Sequence, residues 1–346
     1  LVEQIHDTWC GPQQRLAEAA YEAEWDNLRA AHAWSVAMDD PARADVIVAR
    51  TSNHAIWRLR HDHEDWTRRS LEIDGAGNRY RSHVFGTLAT WRFFHGDALA
   101  SEEIATRGLE AALDDEGLAY CTVAAFYALA SSGRIEEGAR YVPAIQAVLE
   151  GDGPIAGRQV AAQAMVDASM GTAAAPEAVD WYVRLSEQMG EIQIARSWMV
   201  RGTLAVYGMD RPDLDAGIAA ERIAIELDEE VGASEVSTRA KLILAEALRL
   251  GADPGARAAV RAAVSGSFDV RYGMAVVTAI ELCARYLVSV DDTEGASVLL
   301  GHVAVDAPPW AMGAGFRSEL VSAVAGTEKL DEHKAVGAAM DRRRAV

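Results

Sequence analysis

Cysteine is scarce in this chain of 346 residues: Cys10, Cys121 and Cys283 are odd in number, far apart and outside any Cys-x-x-Cys spacing. That argues against a disulfide framework or a thiolate zinc site and fits reduced, buried thiols in a cytosolic protein. No apolar run of about 18 residues occurs, so no membrane contact through a spanning helix is expected, and no signal peptide opens the chain. Sustained two-residue alternation and Asn-Gly hairpins are missing, which removes the usual strand signals. Lysine is reduced to Lys241, Lys329 and Lys334, so the 33 basic residues are nearly all arginine, against 52 acidic ones. The formal net charge of -19 repels a polyanion, and direct nucleic-acid binding is not expected.

Motifs of chemistry are missing as well. No GxxxxGK[ST], G-x-S-x-G or HExxH pattern is present. Carboxylate runs such as Asp114-Asp115-Glu116 and Asp228-Glu229-Glu230 read as helix-end or solvated charge. No catalytic, cofactor-binding or metal-binding residue is therefore assigned, no cofactor is expected, and the chain is not read as an enzyme.

What fills the sequence is helix. Half of the residues are apolar, and alanine, the best helix former, is abundant. Apolar residues recur at three-and-four spacing at Ala98, Ala105, Leu109 and Ala112, and again at Ala139, Val142, Ile145 and Leu149. Proline marks helix starts at Asp40-Pro41, Ala175-Pro176, Arg211-Pro212 and Asp253-Pro254, where the aspartates are placed to accept first-turn N–H groups. Pro143 lies inside a helical pattern that it should kink or split.

Short polar turns fall at His95-Gly96-Asp97, Ser132-Gly133-Arg134, Gly171-Thr172, Met209-Asp210-Arg211, Gly251-Ala252-Asp253 and Asp291-Asp292-Thr293. Their spacing of roughly 40 residues is that of two-helix repeats. Each turn follows an apolar helix and precedes a more charged one. We expect an all-α, TPR-like α-solenoid of stacked antiparallel helix pairs, one array over 1–346. Each repeat should contact mainly its neighbours and leave a concave face. Gly75-Ala76-Gly77 and Gly151-Asp152-Gly153-Pro154 read as turns, and Arg342-Arg343-Arg344 suits a helix C-terminus.

The segment from Gly11-Pro12-Gln13-Gln14 to Trp34 carries a resemblance. Glu24, Asp26-Asn27-Leu28-Arg29-Ala30-Ala31 and Trp34, with Trp25 in the variable place, resemble the entry into the helical-repeat region of bacterial STAND-type signalling ATPases. That group includes antibiotic-type and LuxR-type transcriptional regulators and ATPase-linked class III adenylate cyclases. The match covers about 25 residues. It implies a sensor arm whose first 60 residues join a preceding ATPase and winged-helix module, and the start at Leu1 leads us to expect a piece of a longer protein. The same segment also reads as a packing helix with Leu28, Ala31 and Trp34 on one face.

Two clusters remain. His54, His61, His63, His83 and His95 lie close in sequence, but His61 and His63 could share an ion only from a loop, since helix positions two apart diverge. Arginine and aromatics are enriched in the same region. Arg58, Arg60, Trp66, Arg68, Arg69, Arg81, Trp91 and Arg92 have the composition of a binding hot spot. The competing reading puts the aromatics in the inter-helix core and the arginines on its wet rim. The expected partners are a protein, a peptide or a small effector. A free-standing adaptor, and more distantly a helical enzyme, are the rival functions.

Overall fold

A computed structural model describes residues 1–151, 155–170, 172–208, 211–306 and 320–340. The turns at Gly171-Thr172 and Met209-Asp210-Arg211, the Gly151–Pro154 stretch and Arg342–Arg344 lie wholly or partly outside them. Among the described residues every regular element is a helix. In chain order these are α1 (Val2–Trp9), α2 (Gln14–Ala37), α3 (Pro41–Trp57), α4 (Asp62–Glu72), α5 (Arg81–Phe94), α6 (Ala98–Glu110), α7 (Asp115–Ser131), α8 (Ile135–Ala139) and α9 (Val142–Glu150). There follow α10 (Ile155–Ser169), α11 (Ala175–Ser186), α12 (Glu191–Tyr207), α13 (Leu214–Val231), α14 (Glu235–Leu250), α15 (Ala256–Asp269), α16 (Gly273–Ser289), α17 (Thr293–Asp306) and α18 (Leu330–Ala338). None is long and apolar enough to cross a membrane.

The pairs stack in sequence: α3/α4, α5/α6, α7/α8–α9, α10/α11, α12/α13, α14/α15 and α16/α17, each element packing on the next and most first helices on the following first helix. The first helix of a pair is inner and the second outer. Inner α3 is buried without a break from Ile47 to Trp57, and inner α7 from Ala119 to Phe126. Outer α6 buries only a stripe at Ala98, Ser101, Ala105 and Gly108, the three-and-four spacing that faces one neighbour layer. The apolar-then-charged alternation along the sequence is this division into layers.

The turns between helices repeat one device. The chain passes through a left-handed residue, and the next residue donates its N–H back to the fifth residue before it; that next residue is aspartate after Asp39, Gly96, Ala252 and Asp291 and arginine after Leu59 and Gly133, as in Asp97 N to Arg92 O at 2.9 Å, Asp253 N to Leu248 O at 2.9 Å and Arg134 N to Leu129 O at 3.0 Å. Three of these aspartates then cap the helix that follows: Asp40 accepts from Arg43 N at 3.1 Å, Asp97 from Ala100 N at 3.0 Å and Asp292 from Gly295 N at 2.9 Å. Proline marks the start of α3 and the first turn of α11. At the other two sites the expectation needs correcting. Helix α13 starts after Asp213, which accepts from Ala216 N at 3.0 Å, and α15 starts at Ala256, so Pro212 and Pro254 precede the helices. Pro143 does split its helix, ending up in the first turn of α9.

The array does not stay open. Inner α3 packs on α14, and α5 on α16. Ser234 N donates to Trp57 O at 2.8 Å, Arg58 donates to Val231 O at 2.8 Å, and the Phe94 and Tyr272 rings lie 4.6 Å apart. Contacts between repeats remote in sequence thus fill the middle of what would otherwise be a concave face. One hydrophobic cluster runs from Ile5 to Leu282, and a second joins α16 to α17 through Ile280 and Leu300.

Candidate functional site

Helix α2 carries the segment that bears the family resemblance, and it has two faces. Tyr21, Trp25, Leu28, His32 and Ser35 recur at three-and-four spacing and are buried. Asp26, Asn27, Arg29, Ala30 and Ala31 are exposed, and Trp34 is 52 % exposed. The packing face therefore differs from the expected one: Leu28 belongs to it, Ala31 and Trp34 do not. The exposed polar residues are held only by one another, with Asn27 donating to Glu24 at 2.8 Å and Arg29 paired to Asp26 at 2.8 Å. Arg43 lies 5.6 Å from the Trp34 ring centroid.

Beneath α2 lies a buried polar network built on α3. Glu18 accepts from Trp9 Nε1, His54 Nδ1 and Arg58 Nε. Burial pushes this carboxyl up, but the His54 and Trp9 hydrogen bonds and the Arg58 charge outweigh it and hold it below the ordinary carboxylate value. Its neighbour Glu22, bonded by His54 and Arg60, is lowered to about 2. One helical turn or two away, Arg50 Nη1 donates to both carboxylate oxygens of Glu116 at 2.7 and 2.8 Å, with His6 and His83 beside it. Burial raises Glu116, but hydrogen bonds from His6 and Arg50 and the charges of His83 and Arg50 carry it well below its usual range.

Each of the eight Arg and Trp residues picked out by composition can now be placed. Trp66 and Trp91 are core residues, Trp66 stacked at 4.8 Å on Trp25 and Trp91 donating to His63 Nδ1 at 3.4 Å. Arg81 is buried, 3.1 Å from Asp45, donating to the Ser70 and Ile73 carbonyls. Its guanidinium lies across Gly75, where any Cβ would collide, so that turn needs its glycine. Arg58 and Arg60 pair with Glu18 and Glu22, Arg68 with Asp65 and Glu72, Arg92 with Glu64, and Arg69 is half-buried. The aromatics are thus core, as the second of the two readings had it. Arg68 sits on the exposed rim, whereas Arg81 is inside.

The histidines divide likewise. His63 is fully buried against Thr51 at 2.9 Å and Trp91, and burial holds it neutral, at about 3. His61 stands at the start of α4 and bonds Val270 O at 2.7 Å, so the two point apart. Burial also lowers His32 and His83, each to about 4. No group of three or more His, Cys, Asp or Glu side chains suited to a metal ion occurs among the described residues. Burial pushes the Cys10 and Cys121 thiols up to about 12, so they are protonated. These groups face one another and not solvent.

What the sequence reading missed is a row of ion pairs within and between inner helices. Arg196 on α12 meets Asp167 on α10 at 2.6 Å, with Tyr127 donating to the same oxygen at 2.6 Å. Glu235 on α14 takes Arg239 of the same helix at 3.3 Å and the hydroxyl of Tyr272, just before α16, at 3.2 Å, and Glu246 takes Arg285 of α16 at 3.2 Å. A signal was available for part of it: Arg196, Glu246 and Arg285 stand in largely apolar helical stretches.

The fold and site define the chain's class as an all-α array of stacked helix pairs with a closed, ion-paired interior. No family model matches the chain, and no curated protein matches it.

Proposed function

We propose that this chain is the non-catalytic interaction arm of a cytosolic STAND-type signalling protein. It would bind a protein, a peptide or a small effector and couple that event to an attached ATPase and output domain through a shift between two packing states. The observation that supports this is the exposure of Asp26, Asn27, Arg29, Ala30, Ala31 and Trp34 on α2. The core of the array needs Trp25 and Leu28 but not these residues, so the pattern they share with that family is not explained by the packing of this chain. A face that docks the preceding domain explains it.

Two measurements test the reading. Extending the coding sequence upstream of Leu1 should disclose a P-loop and a winged helix; a reading frame without them overturns the STAND assignment and leaves a free-standing adaptor. In the full-length protein, Trp34→Ala combined with Arg29→Ala should change basal ATP hydrolysis severalfold while leaving the melting of the isolated arm unchanged. Unaltered hydrolysis would remove the docking role from α2.

A further inference from the structure

Between outer helix α15 and inner helix α16 lies a surface cleft of about 560 Å³. One end is cationic. Arg257 and Arg261 stand one turn apart on α15, both exposed, and neither meets a carboxylate among the described residues. Other exposed arginines of the chain are matched, Arg15 with Glu191 and Glu230, and Arg134 with Glu102 and Glu137. Like charges at this spacing repel, so the pair destabilises its own helix unless an anion joins it.

Apart from Ser265 and Asp269, the rest of the lining is apolar. Val264 and Phe268 of α15 face Leu287 and the ring of Tyr286 on α16. The one acidic group in the lining, Asp269, sits eight residues past Arg261, about 12 Å along the helix axis. A cation pair, an apolar trough and a distant carboxylate set the polarity of any occupant. A volume of this size is in the range of small-molecule sites, roughly 300–1,000 Å³.

We propose that this cleft binds a small amphipathic organic anion, its carboxylate or phosphate head between Arg257 and Arg261 and its apolar body along Val264 and Phe268 toward Leu287. The guanidinium pair supplies forked donors of the geometry that planar oxyanions take. This names an effector class for the arm proposed above, and only its regulatory meaning rests on that proposal. Binding itself is read on this chain alone, so it can fail while docking through α2 stands.

The experiment is calorimetric titration of the chain with decanoate, whose ten-carbon length suits the distance from Arg261 to Phe268. Saturable binding of one equivalent is expected. Arg257→Ala with Arg261→Ala should weaken it at least tenfold, and 1-decanol should bind the unmodified chain no more tightly than decanoate binds that double variant. Both arginines are solvent-facing, so the variant should melt like the parent; Arg261→Glu alone should weaken binding further than Arg261→Ala. Affinity kept within threefold in the double variant, binding of several equivalents indifferent to these changes, or no saturable binding overturns the proposal.

Discussion

A buried charged side chain gains its place in this protein through partners that can be remote in sequence. Arg50 and Glu116 are 66 positions apart and both almost wholly buried. Removing one member strands the other charge in a medium that solvates it poorly, a cost of about 3–5 kcal/mol. Glu116→Ala is therefore expected to lower stability by that amount in urea titration, and Arg50→Met with Glu116→Leu together by far less than the sum of the single losses. Asp228 tests the opposite case. Burial, with Glu235 adding to it, raises this carboxyl from 3.8 to about 7 against the hydrogen bonds from Ser237. The folded state thus keeps a proton that the unfolded chain releases between pH 4 and 7, and the stability this group contributes falls as pH rises through that window. Asp228→Asn should match the parent near pH 4 and melt above it at pH 8, by on the order of 2 kcal/mol. For His63 the sign reverses. Its folded value of about 3 lies below 6.5, so its contribution is present above pH 6.5 and lost on acidification, and His63→Gln should flatten that acid limb. The charges themselves were plain in the sequence; which of them meet was not, because pairing across 66 residues depends on how repeats stack.

At the level of the element, local chemistry was legible and handedness of contact was not. Aspartate before proline named the start of α3, and Pro143 named the break before α9. Arg211-Pro212 misled because Asp213, one residue later, makes the better cap. The turns between helices share a device that only the backbone discloses: a left-handed residue, then an N–H bonded back to the fifth residue before it. Glycine fills the left-handed place at Gly96, whereas Ala252 occupies it with φ of 51°, a conformation that costs a residue with a Cβ about 1 kcal/mol. Ala252 is exposed at the turn. Ala252→Gly should therefore stabilise the protein by up to about 1 kcal/mol, less the extra freedom that glycine gives the unfolded chain. A fall in melting temperature would show that the strain is carried elsewhere. The α2 face was misassigned for a related reason. Leu28, Ala31 and Trp34 look like one stripe by spacing, yet the longer run of Tyr21, Trp25, Leu28, His32 and Ser35 follows the 3.6-residue turn more closely and wins the core.

At the scale of the whole molecule, stacking of neighbours was predictable from the repeated turns, but closure was not, since nothing in a repeat states how far the array curls. Gln14 shows what closure uses. Its amide, fully buried, donates to Trp9 O at 3.1 Å and accepts from Ile192 N at 2.8 Å, tying the end of α1 to the start of α12 across 178 positions. Nearby, Gln159 donates to Cys10 O at 2.9 Å and Arg15 bridges Glu191 and Glu230. In an open solenoid each repeat answers only to its neighbours, and unfolding can proceed segment by segment. Here, the first helices hold the later ones, so unfolding of the two regions should be coupled. Gln14→Ala leaves two buried backbone groups without partners, about 1–3 kcal/mol each. It should lower the melting temperature and, by loosening the junction, separate hydrogen-exchange protection of α12–α16 from that of α1–α5. In the parent chain, both regions should exchange with one opening free energy. If the parent already shows two distinct openings, or if Gln14→Ala lowers protection in α1–α5 alone, the contacts across the middle are incidental. If both regions weaken together in the parent and part company in the variant, the junction at Gln14 is what makes the array a single cooperative body.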